Sequence, residues 1–156
     1  MTTCNKKQKL WEQQFEELEV WLIDKGFNLD VAHDVDDCVY LEDKIVCIQS
    51  RSKPETRYYS LLHECGHILV ANGLKRWKKD MPLYVQEDGV WDDGRKRRGM
   101  AYKVSYVAEE IEAWKRGRRM SGKMGHHINN EKYNKLMSYC VFEHIKSLVS
   151  PEDYEE

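Results

Sequence analysis

The chain has 156 residues, 41% hydrophobic and 33% charged, which suits one soluble folded domain with its own core and excludes a disordered tail or a collagen-like repeat. Twenty-five Lys+Arg against 27 Asp+Glu leave a net charge of −2, so overall charge gives no pull toward nucleic acid or an anionic membrane. No apolar run approaches the ~20 residues that cross a bilayer, and Met1-Thr2-Thr3-Cys4-Asn5-Lys6-Lys7 opens no signal-peptide core, so a cytoplasmic location without membrane contact is expected.

There is no internal repeat, low-complexity tract or Pro/Gly-rich linker, and residues 1–150 read as a single domain with an acidic, frayed tail at 151–156. A first helix is expected from Asn5 to Lys25. Leu10, Trp11, Phe15, Leu18 and Leu22 recur at helical spacing, and Gly26 is a natural stop. Cys38-Val39-Tyr40-Leu41 and Ile45-Val46-Cys47-Ile48, separated by Glu42-Asp43-Lys44, read as a hairpin. Pro54-Glu55-Thr56 opens a second helix with Thr56 as the expected N-cap. Its apolar positions are Tyr58, Leu61, Leu62, Cys65, Ile68 and Leu69, and Asn72-Gly73 ends it.

Residues 74–101 read as irregular, with Pro82, Gly89, Gly94 and Gly99 among them. A third helix is expected from near Ser105 toward Arg116. A fourth follows Asn129-Asn130 and stops before Pro151. In it Tyr133, Leu136, Met137, Cys140, Val141, Ile145 and Leu148 form a long apolar stripe. The five cysteines (Cys4, Cys38, Cys47, Cys65, Cys140) are scattered, odd in number and without a C-x-x-C pair. They are expected to be reduced thiols and not a structural zinc site.

The chemistry lies in Leu61-Leu62-His63-Glu64-Cys65-Gly66-His67-Ile68-Leu69, an H-E-x-x-H motif inside an amphipathic helix. Residues i and i+4 stand one above the other on a helix, so His63 and His67 can turn two imidazole nitrogens toward one ion. Glu64 then projects beside that ion, in position to take a proton from water as a general base. Zinc suits two histidines and a carboxylate with water at the fourth position. Gly66 falls where close backbone packing is useful.

A third protein ligand is needed. The metzincin pattern would put Gly and His where this chain has Val70 and Gly73, so that form is excluded. In the third helix Val107, Ile111 and Trp114 share one face and Glu110 borders it. A carboxylate beside a buried stripe is costly unless it is paired or holds a metal, which makes Glu110 the expected third ligand. Glu109 and Glu112 are expected to point away and stand as alternatives, Glu112 also being spaced to pair with Arg116. Glu87, in the turn-like Val85-Gln86-Glu87-Asp88-Gly89, is the further candidate. His126 and His127 read as loop or capping residues, His144 as a core-edge histidine and His33 as part of a polar loop. Tyr106, one turn before Glu110, is a candidate hydrogen-bond donor to an oxyanion.

The run Arg57-Tyr58-Tyr59-Ser60-Leu61-Leu62-His63-Glu64-Cys65-Gly66-His67 resembles the active-site helix of the ImmA/IrrE metallopeptidases. These carry an Arg, an aromatic four positions before the first histidine, a small hydroxyl residue and then H-E-x-G-H. Ile45-Val46-Cys47-Ile48 looks like the strand preceding that helix, and Glu110-Ile111-Glu112-Ala113 is similar to the family's E-x-E-A segment, whose first Glu is the third zinc ligand. The resemblance covers roughly residues 37–116. It implies an α+β, zincin-like fold: a small twisted sheet with antiparallel strands packed on the active-site helix, here with added N- and C-terminal helices. It further implies a zinc-dependent endopeptidase of a gene common in phages and mobile elements. Its substrate would be a protein or peptide, often a transcriptional repressor. Zinc would lie on His63, His67 and Glu110, with Glu64 as the general base.

Two other readings share the motif. An SprT-like, DNA-associated metalloprotease would use Arg95-Lys96-Arg97-Arg98 and Lys115-Arg116-Gly117-Arg118-Arg119 on phosphates, although the third histidine expected soon after the motif is absent. A non-catalytic metal-binding or interaction module would keep the scaffold alone.

Overall fold

The computed structural model describes residues 3–81 and 99–149. Glu87, the 95–98 basic run and the 151–156 tail lie outside the described residues. Helix α1 (Thr3–Asp24) buries Trp11, Gln14, Leu18 and Leu22, which follow one another at steps of three or four and so line one face. It ends where Gly26 takes a φ of +84°, and Phe27 N–H reaches back to Leu22 O at 2.9 Å. That is a left-handed cap with a 6→1 bond, which glycine forms without steric cost.

The chain then enters β1 (Asn28–Ala32), an element absent from the sequence-based expectation. It runs parallel to β3 (Ile45–Gln49), pairing Leu29 with Val46, while β2 (Cys38–Tyr40) pairs antiparallel with β3 on the other side. The expected hairpin is therefore present, inside a three-stranded mixed sheet of order β1-β3-β2. Central β3 buries Val46, Cys47 and Ile48, which accounts for its near-continuous apolar run.

Helix α2 (Pro54–Asn72) starts earlier than a Thr56 cap would allow. Pro54 occupies its first turn, where a missing N–H costs nothing, and extended Lys53 is the N-cap. The Lys53 carbonyl accepts from Arg57 N at 3.0 Å. Helix α3 (Leu74–Asp80) follows at once and corrects the expectation that residues from 74 onward are irregular. Its Leu, Lys and Arg residues are good helix formers and Trp77 is buried.

Helix α4 (Met100–Lys123) is longer at both ends than expected. Ser105 is not its cap, because its hydroxyl donates to Ala101 O one turn back at 2.8 Å, inside the helix. Gly117 lies within it, where α4 meets α2. Helix α5 (Asn130–Leu148) is capped by Asn129, whose side chain accepts from Lys132 N at 3.1 Å. Its stripe packs as far as Val141, burying Tyr133 and Val141 with Leu136, Met137 and Cys140 against the core, while Ile145 is exposed.

Among the described residues the molecule is thus α+β, five helices and one small sheet. Helix α2 is the central element. It is buried on almost every side, with α1 and the sheet packed against it together with α4. All five cysteines are free. No helix among the described residues is long and apolar enough to cross a membrane.

Candidate metal centre

Two glycines set the approach of α2 and α4. A Cβ added at Gly66 would stand 1.9 Å from the Ala113 carbonyl oxygen, and one at Gly117 would stand 2.5 Å from Leu62 O. Backbone therefore lies on backbone, and no side chain at these points holds the helices apart. Glu110, three residues before Ala113, is carried straight onto the histidines of α2. Its Oε2 is 2.9 Å from His63 Nε2 and its Oε1 is 3.3 Å from His67 Nε2.

His63, His67 and Glu110 offer three ligand atoms that all lie within 4.8 Å of one another, and this group could hold a metal ion. His63 and Glu110 are buried and His67 nearly so. The His63 ring is fixed by Trp114, which stacks on it at 4.3 Å with only 8° between the planes. Trp114 is held in turn by Tyr133, whose hydroxyl donates to Trp114 O at 2.5 Å and whose ring meets the indole edge-on.

The electrostatics fit a site built for positive charge. Burial alone would depress the His67 imidazole, but the Glu109 and Glu110 carboxylates overcome it and hold its pKa up to about 10. His63 is raised in the same way, with burial opposed by Glu110 and Glu64. Glu110 is driven well below the usual carboxylate range, because two imidazoles outweigh its own burial. The arrangement favours protons on the imidazoles beside the carboxylate, and a bound ion would displace them.

Glu64 is buried, with Oε1 3.4 Å from His63 Nδ1. Behind it lies Asp37, just ahead of β2, which accepts from Gln49 N at 2.8 Å and is hydrogen-bonded by Ser60. Burial, with the charge of Glu64 adding to it, raises the Asp37 pKa. Asp37 is thus a half-buried neighbour of the site that sequence reasoning missed, since nothing local marks a loop aspartate for partial burial.

Glu109 corrects an expectation. It does not point away but puts Oε1 3.6 Å from His67 Nδ1, on the far side of the ring from Glu110. The helices cross so closely that neighbouring α4 positions flank one imidazole. Glu112 does face away, bonded to Arg116 at 2.9 Å and Arg119 at 3.0 Å. Much of the 115–119 basic run is therefore engaged internally, with Arg118 lying over the Tyr133 ring.

Tyr106 is linked to the three-residue group through His144. Its hydroxyl meets His144 Nδ1 at 3.2 Å, and His144 Nε2 lies 3.4 Å from Glu110 Oε2. His144 is the second residue missed. Its signal was a lone polar ring in the α5 stripe, one turn after Cys140. The Cys140 thiol is pushed up to about 11 by burial, with the charges of Asp37, Glu110 and Glu64 adding to it. His126 instead links Tyr58 (2.7 Å) to Glu17 (2.6 Å), His127 packs on Trp11, and exposed His33 meets Asp34. No protein-family model, curated protein or solved structure matches the chain.

Proposed function

We propose that the chain is a zinc-dependent endopeptidase on a zincin-like scaffold, acting on a protein or peptide substrate in the cytoplasm. The observation that carries this reading is the convergence of His63, His67 and Glu110 from two crossing helices, with the buried Glu64 carboxylate at the Nδ1 edge of His63. The donor set fits zinc. At metal–ligand bonds of about 2.0–2.1 Å, tetrahedral neighbours stand about 3.3 Å apart. Glu110 Oε2 lies 2.9 Å from His63 Nε2 and its Oε1 3.3 Å from His67 Nε2, and one ligand atom from each of the three residues falls within 4.8 Å of the others. Calcium and magnesium ask for oxygen donors, which two imidazoles are not. The resemblance of residues 57–67 and 110–113 to the ImmA/IrrE peptidases supports the same reading.

His63 and His67 through Nε2, and Glu110 through its carboxylate, would hold the ion. When bound, zinc supplies Lewis acidity to the scissile carbonyl and to water. Glu64 accepts the water proton on a carboxylate oxygen and passes it to the departing amine nitrogen. Trp114 keeps the His63 ring from turning, and the low polarity around Trp114 and Cys65 strengthens each charge in the site.

The test is cleavage of a fluorogenic peptide library by the zinc-loaded chain. Glu64→Gln is expected to keep its zinc and lose roughly 100- to 10,000-fold in rate. Undiminished cleavage by that variant would remove Glu64 from the chemistry.

A further inference from the structure

Resting on the metallopeptidase reading, we propose that His144 is the hydrogen-bond donor to the oxyanion that develops on the scissile carbonyl, and that Tyr106 sets the tautomer that lets it donate. His144 Nε2 lies 3.4 Å from Glu110 Oε2. That is closer than chance but beyond a good N–H···O bond, so its proton is not committed to Glu110. His144 also stands outside the set of mutually close ligand atoms formed by His63, His67 and Glu110. It is a neighbour of that set and not a fourth member.

Exposure separates it further. The side chains of His63, Glu110 and His67 are 10%, 10% and 14% exposed, whereas that of His144 is 34% exposed. It is in contact with the buried Glu110 and also reaches solvent. A neutral imidazole carries its proton on one nitrogen only. Tyr106 Oη lies 3.2 Å from Nδ1; in the proposed arrangement the phenol donates there, which leaves the proton on Nε2, the nitrogen facing Glu110. The two rings meet at 5.4 Å and 60°, which holds the imidazole plane. Tyr106 is thereby a positioning residue, and the C-terminal helix completes the site.

The experiment uses the full chain loaded with Co2+, whose visible spectrum reports its ligands, and acetohydroxamate as the probe. This small oxyanion ligand asks for no side-chain pocket. The wild-type chain should bind it with a spectral change. His144→Phe, which keeps the ring shape, should leave the cobalt spectrum unchanged before the probe is added and weaken acetohydroxamate roughly ten- to a hundred-fold. Tyr106→Phe should keep the same cobalt spectrum and weaken the probe less. Equal affinity in His144→Phe, or no probe binding by the wild-type chain, would overturn the inference. So would an altered cobalt spectrum in His144→Phe, which would make His144 a ligand. Failure of the wild-type chain to take up Co2+ would be a different result: it would remove the metal reading and this inference with it.

Discussion

Gly66 meets Ala113 so closely that a single added methyl would stand 1.9 Å from the Ala113 carbonyl oxygen. That contact, more than any side-chain interaction, brings a carboxylate from α4 over two imidazoles on α2. Alanine gains up to about 1 kcal/mol over glycine in a helix interior. Overpacking against backbone costs about 1–3 kcal/mol and here has no flexible neighbour to yield. Gly66→Ala is therefore expected to destabilise despite its better propensity and to weaken zinc binding by separating the helices. Gly117→Ala, whose methyl would stand 2.5 Å from Leu62 O, should act in the same direction. Urea unfolding with and without zinc checks this, and an unchanged midpoint would contradict it.

The three glutamates of α4 should separate cleanly in metal titrations. Glu110→Ala removes a donor atom and should abolish tight binding. Glu109→Gln loses only the carboxylate 3.6 Å behind His67 and should weaken zinc by about tenfold, the lower end for a partner behind a ligand. Glu112→Gln breaks ion pairs with Arg116 and Arg119 and should leave metal affinity alone. Chelator competition on the purified variants gives the order.

The site also fixes the direction of the pH response. His67 is held up to about 10 from an ordinary 6.5, so its contribution to the stability of the metal-free chain is complete below about 6.5 and lost as pH rises through about 10. Glu110 is lowered from 4.5, so its contribution is present above that value and lost as pH falls below it. Metal-free stability from this cluster should thus be greatest between about 4.5 and 6.5. Zinc must displace imidazole protons, so its apparent affinity should climb with pH between 7 and 9. Chelator competition at pH 7, 8 and 9 measures the slope; a flat profile would contradict the proton-held cluster.

Trp114 fixes His63 by stacking at 4.3 Å. Trp114→Phe, which retains a ring face, should keep most of the zinc affinity. Trp114→Ala should destabilise by about 3–5 kcal/mol through the cavity it leaves. Thermal unfolding of both variants distinguishes loss of the stack from loss of volume.

Helices α1, α2 and α5 and the β2–β3 hairpin were legible because each carries its own apolar period or turn. Strand β1 was not: Asp30 interrupts it, most of it is exposed, and its partner β3 is reached only across the hairpin. The ends of α4 were placed too far in, near Ser105 and Arg116, whereas the helix runs from Met100 to Lys123 with Ser105 bonded back within it and Gly117 at the contact with α2. His63 and His67 were readable from i,i+4 spacing, and Glu110 from its place beside a buried stripe. His144 and Asp37 join them only through tertiary contacts, and a helical wheel does not reveal that α4 crosses closely enough to bring Glu109 to His67.

The central claim is tested most directly by diffraction from zinc-loaded crystals at the zinc absorption edge. The account predicts one anomalous peak per chain, about 2.0–2.2 Å from His63 Nε2, His67 Nε2 and a Glu110 carboxylate oxygen. A peak elsewhere, or none with the two imidazoles still closed on Glu110, would contradict it.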